Sequence, residues 1–105
     1  MVLLRAFVVA VNEKQANELA REYISLLYEI CNFKVRVVQP YWKVNGQYEI
    51  LLECDEGSDK LNVIDRFLSF NISGDISVSD SELIINDPEG DFFLKGATWV
   101  HLETF

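Results

Sequence analysis

Residues 2–11, VLLRAFVVAV, form a nearly unbroken apolar run rich in β-branched side chains. Such a run suits a central strand, with neighbours on both edges and apolar contacts for its side chains. It leads straight into Asn12, with Gln15 three residues further on. That pairing is a capping-box signature, in which the Asn side chain accepts a free backbone N–H and the Gln side chain reaches back. A helix over 13–31 follows. Ala16, Leu19, Ala20, Tyr23, Leu27, Ile30 and Cys31 fall on one face of it, and Lys14, Glu18, Arg21, Glu22, Ser25 and Glu29 on the other.

Segments 33–44 and 47–54 flank Asn45-Gly46, a strong hairpin signal because both residues tolerate positive φ. A two-residue loop would pair Lys43 with Tyr48, Tyr41 with Ile50, Gln39 with Leu52 and Val37 with Cys54. Phe33, Val35, Val37, Tyr41, Tyr48, Ile50, Leu52 and Cys54 would then share the apolar face. Pro40 cannot donate to a ladder, so its strand is an edge there or carries a bulge. Ser58 is placed to cap a second helix over 59–70, with Leu61, Ile64, Phe67 and Leu68 as its apolar stripe. Short strands are expected around Ile76 and Val78, over 82–86 and over 97–105. In the last, Thr98, Val100, Leu102 and Thr104 face one way, and Trp99, His101, Glu103 and Phe105 the other.

At 105 residues the chain makes a single domain, 1–105. The expected fold class is α+β. The first six elements resemble the ferredoxin-like β-α-β-β-α-β arrangement, an antiparallel sheet with two helices on one face, with extra C-terminal strands added. The residues at 2–11 lack a convincing cleavage site, and no stretch approaches the length of a spanning helix, so a cytoplasmic protein is expected. On that basis Cys31 and Cys54 are read as reduced and buried, with a disulfide as the alternative. They have no metal-ligand spacing.

Charge is unevenly distributed. Residues 49–105 carry thirteen acids against three bases, and the whole chain has a formal charge of −8. No base lies between Arg66 and Lys95. This argues against nucleic acid, whose phosphates require clustered Lys and Arg, and against an anionic membrane surface. It favours a basic protein partner.

No catalytic residues, metal or cofactor are expected. There is no Gly-rich phosphate loop, and the single histidine, His101, is read as a packing or surface residue. Asp87, Glu89 and Asp91 alternate like calcium ligands, but Pro88 stiffens the loop and no distal Glu follows, so a solvated turn is expected. The candidate partner-binding residues are the acids Glu53, Asp55, Glu56, Asp59, Asp75, Asp80, Glu82, Asp87, Glu89 and Asp91. Trp42 and Trp99 are candidate anchors beside them, with packing under the extra strands as their competing role.

In size, charge and architecture the chain is similar to small acidic bacterial toxin-immunity proteins, including those of contact-dependent growth-inhibition systems. The resemblance implies an inhibitor that neutralises a basic partner such as a nuclease toxin. Two other classes stay open: a ligand-sensing or oligomerising ferredoxin-like domain that forms a homodimer, and a small enzyme using the carboxylates at 53–59.

Overall fold

Strand β1 (Val2–Val9) is central to an antiparallel sheet of six strands in the computed structural model, which describes residues 1–55, 60–70, 74–89 and 93–105 and, of residues 60–62, the backbone alone. Its side chains alternate. Val2, Leu4, Ala6 and Val8 are buried, whereas Leu3, Arg5, Phe7 and Val9 point to the other face. The run read as continuously apolar therefore has a covered side and an open side, and Arg5 marks the open one.

Helix α1 (Glu13–Leu27) begins at the expected cap Asn12, with the Gln15 side chain reaching back one residue further than a capping box does, to Val11. The Gln15 N–H donates to Asn12 Oδ1 at 2.9 Å, and the Val11 N–H donates to Gln15 Oε1 at 2.7 Å. Ala16, Leu19, Ala20, Tyr23 and Leu27 are its buried stripe. The helix stops one turn short of the expected end. Ile30 and Cys31 donate their N–H groups to the Leu27 carbonyl, and Arg66 donates to the carbonyl of Glu29, so the last turn is closed from outside.

Strands β2 (Lys34–Pro40) and β3 (Gln47–Cys54) pair as expected, but in another register. Pro40 faces Tyr48, Gln39 faces Glu49 and Val38 faces Ile50. Pro40 explains the shift. A two-residue loop makes 44 and 47 a hydrogen-bonded pair, and every second pair along the ladder repeats the pattern. Pro40 would then stand opposite Leu51 where an N–H is needed. Instead Tyr41 donates to the Gln47 carbonyl at 2.9 Å, which puts Pro40 between bonded pairs on an edge strand. The loop lengthens to 42–46, and Gly46 still supplies a positive φ of 82°.

The register shifts again between Val35 and Val37, so Arg36 is an inserted residue. Val38 now packs on the core, and Val37 and Tyr41 leave the helix side for the open face. The expected inward set of β3 stands: Ile50, Leu52 and Cys54 are buried and Tyr48 packs against the core.

Helix α2 (Lys60–Leu68) adds Val63, Ile64 and Phe67 to the same core as α1 and the inner face of the sheet. Its expected Ser58 cap lies outside the described residues. Strands β4 (Asp75–Val78), β5 (Glu82–Asn86) and β6 (Ala97–Thr104) complete the sheet in the order β2-β3-β1-β6-β5-β4. The extra strands are thus not a C-terminal addition: β4 and β5 precede the last strand in the chain and extend the sheet beyond it. β6 has eight residues with alternating burial and can match β1 along its length, whereas β4 has four residues, all exposed, and suits an edge. Thr98 departs from its expected face, because a register shift between Phe7 and Val8 pairs Val8 with Ala97.

Cys31 and Cys54 are joined in a disulfide, with their Cα atoms 6.4 Å apart, and not reduced as expected. One follows α1 and the other ends β3, so the bond ties the helix layer to the sheet. Among the described residues, no helix is long and apolar enough to cross a membrane.

Candidate functional site

The helices cover one side of the sheet, and the other side carries three cross-strand rows. The first runs Glu53, Leu3, Glu103, Glu82 across β3, β1, β6 and β5. The second runs Leu51, Arg5, His101, Ile84, and the third Glu49, Phe7, Trp99, Asn86. Most of these side chains are half-buried even though no layer among the described residues lies over them, because neighbours in adjacent rows cover one another.

Aromatic rings dominate the third row. Tyr41 stacks on Phe7 with centroids 4.2 Å apart, Phe7 stacks on Trp99 at 5.0 Å, and Trp99 lies 5.7 Å from the His101 ring. Beside them is a shallow cleft of about 370 Å³ lined by Phe7, Gln47, Asn86, Pro88, Thr98 and Trp99. Gln47 Nε2 donates to Thr98 Oγ1 at 3.4 Å, and Thr98 Oγ1 donates to the Phe7 carbonyl at 3.3 Å.

The charges are partly paired. Arg5 lies 3.6 Å from Glu49 and Arg36 lies 3.6 Å from Glu53. Exposed pairs of this kind contribute little to stability, about 0–1 kcal/mol. His101 Nε2 is 3.0 Å from Glu82 Oε2. Gln39 Nε2 donates to Glu49 Oε1 at 2.9 Å. Both cysteines are oxidised, so neither offers a thiolate.

The acids singled out in the sequence do not gather in one place. Glu53, Asp55, Asp80 and Glu82 lie at the end of the sheet where Val2, Cys54 and Thr104 meet, and the Thr104 N–H donates to the Ser81 carbonyl there. Asp75 pairs with Asn86 and lies at the opposite end with Glu89. Asp87 is buried, with its N–H on the Thr98 carbonyl, so it is no rim acid: the residue after β5 is drawn into the ladder with β6. Glu56, Asp59 and Asp91 lie outside the described residues.

Trp42 is 83 % exposed in the loop after β2, with the Lys43 amine 5.1 Å from its ring centroid. Trp99 is packed, but within the open-face stack and not beneath extra strands. Sequence reasoning left Phe7, Tyr41 and Glu103 off the site. Phe7 had a signal, since Arg5 marks its face of the strand as solvated; Tyr41 had none, because its face depends on the shifted register. No family model matches this chain, and searches of curated proteins and of solved structures likewise return no match.

Proposed function

We propose that this protein is an inhibitor of the toxin-immunity kind, which receives a basic protein partner on the open face of its sheet. The observation that carries the reading is one juxtaposition: the row Glu53, Glu103, Glu82 and the stack Tyr41–Phe7–Trp99 share one face, flanking the row of Leu51, Arg5, His101 and Ile84, and no element among the described residues covers that face. Acids at a rim steer a cationic partner into encounter, and flat, already ordered rings anchor it at little entropic cost. A nuclease must be basic to hold phosphate, so an acidic face that engages those same groups blocks its substrate.

In this reading the scaffold is ferredoxin-like. The order β2-β3-β1-β6, with one helix after β1 and another after β3, supports that arrangement, and the β4–β5 hairpin is an insertion before the final strand. The cytoplasmic expectation loses one of its supports, because disulfides persist chiefly in oxidising compartments.

The test is purification from the native cells at low salt, identification of what co-purifies, and kinetics with that partner. A basic partner whose association slows with salt and with Glu53→Gln plus Glu103→Gln supports the proposal. A chain that instead forms a concentration-dependent homodimer through this face, with no basic partner, replaces it with the oligomerising reading.

A further inference from the structure

We propose that Glu82, His101 and Glu103 form a zinc site on the open face. This inference concerns the isolated chain and stands apart from the partner proposal. His101 and Glu103 are two residues apart on β6, so the pleat sends both side chains to the same face. Glu82 stands directly opposite Glu103 on β5 and diagonal to His101. One imidazole nitrogen and two carboxylate oxygens therefore converge, and all three donor atoms lie within 4.8 Å of one another.

Ligand atoms about 2.1 Å from one zinc ion lie roughly 3.0–3.4 Å apart. His101 Nε2 and Glu82 Oε2, at 3.0 Å, already have that spacing. A rotation of the Glu103 carboxylate brings in the third donor. Like charges directly opposite each other across a ladder are destabilising, more so where the side chains are partly out of water. Glu82 and Glu103 are both half-buried, so a cation between them removes a cost that the fold otherwise bears.

Among the described residues, the competing positive charge beside the site is Arg5, opposite His101 on β1. Its guanidinium is directed toward Glu49 in the third row, whereas Glu103 lies in the first row, in the other direction along the strands. A recess of about 20 Å³ adjoins two of the three ligands, His101 and Glu103, on the side of β6 away from Glu82, and has room for one water-sized occupant. Mixed imidazole and carboxylate donors with an open fourth position match zinc better than calcium or magnesium, which favour all-oxygen shells.

The experiment titrates zinc chloride into untagged, disulfide-intact protein. It is followed by calorimetry and by the ¹⁵N resonances of the imidazole, which belong to the only histidine in the chain. The expected result is one saturating site that shifts the His101 Nε2 resonance. Glu82→Gln, Glu103→Gln and His101→Ala each weaken it on the order of 10-fold or more, whereas Glu49→Gln, on the same face, leaves it unchanged. If a variant fails to fold by circular dichroism, the wild-type imidazole signal decides. An imidazole unmoved by zinc up to about 1 mM, or a site whose affinity is indifferent to folded Glu103→Gln and Glu82→Gln, overturns the proposal and leaves His101 as a side chain held between two carboxylates.

Discussion

Tyr23 on α1 donates its hydroxyl to the backbone carbonyl of Lys95, seventy-two residues away in sequence. The phenol is fully buried, and the bond ties the first helix to the segment that enters the last strand. Burial, with the nearby Glu22 carboxylate adding to it, pushes the Tyr23 hydroxyl well above the ordinary tyrosine range. The folded state thus favours the neutral phenol. Its contribution is fully present below the unfolded value of about 10 and is lost as pH rises above it. Tyr23→Phe should cost about 1 kcal/mol at neutral pH. The gap to wild type should narrow in urea titrations repeated above about pH 10, because phenylalanine has no proton to lose.

The Cys31–Cys54 bond should be worth about 2–4 kcal/mol, since it closes a loop of 23 residues in the unfolded chain. Cys31→Ser with Cys54→Ser should lower the urea midpoint accordingly while keeping the fold. Intact mass of protein from its native cells, measured without reductant, should show the loss of two hydrogens. A fully reduced mass would return the cysteines to the buried-thiol reading.

Two glycines should respond unequally to alanine. Gly46 has φ of +82° with nothing within 4 Å of a built Cβ, so Gly46→Ala should cost only the left-handed strain, about 1–2 kcal/mol. Gly74 has φ of +93°, and a Cβ there would sit 2.5 Å from the Asn86 carbonyl oxygen. Gly74→Ala should cost more and displace the β4–β5 hairpin, which amide exchange on β5 would report.

On the open face, anchors and rim acids should separate kinetically. Trp42→Ala should leave the melting temperature unchanged, because the ring is exposed. Trp99→Ala should speed dissociation of the co-purified partner and cost on the order of 2 kcal/mol. Glu53→Gln with Asp80→Asn should slow association and flatten its salt dependence, leaving dissociation nearly unchanged. A thermal melt checks the first of these, and surface-based kinetics at two salt concentrations the other two.

What the sequence made legible was local. The cap at Asn12, the buried stripe of α1 and the inward set of β3 follow from spacing of a few residues, and all three stand in the structure. The hairpin register was a contest between two local signals. Asn45-Gly46 favoured a short turn, but Pro40 could not donate in the ladder that turn implies. The inserted Arg36 then reversed the face of Val37, and nothing in the sequence marks that insertion. Neighbour relations across the sheet were least legible. Alternation placed His101 and Glu103 on one face, but only the pairing of β5 with β6 brings Glu82 to them. The acids singled out in the sequence are scattered for the same reason, since Asp75 and Glu82 lie at opposite ends of one hairpin.

The two margins of the sheet are not alike. β2 carries Pro40 and the Arg36 insertion, both of which spoil a template for another strand, whereas β4 is four exposed residues with neither device. Strand addition is consequently disfavoured at β2. Were a second chain to join at β4, like margin to like margin, only β2 would face outward on both sides and the assembly would close at two copies. A sheet with two plain margins would polymerise without limit.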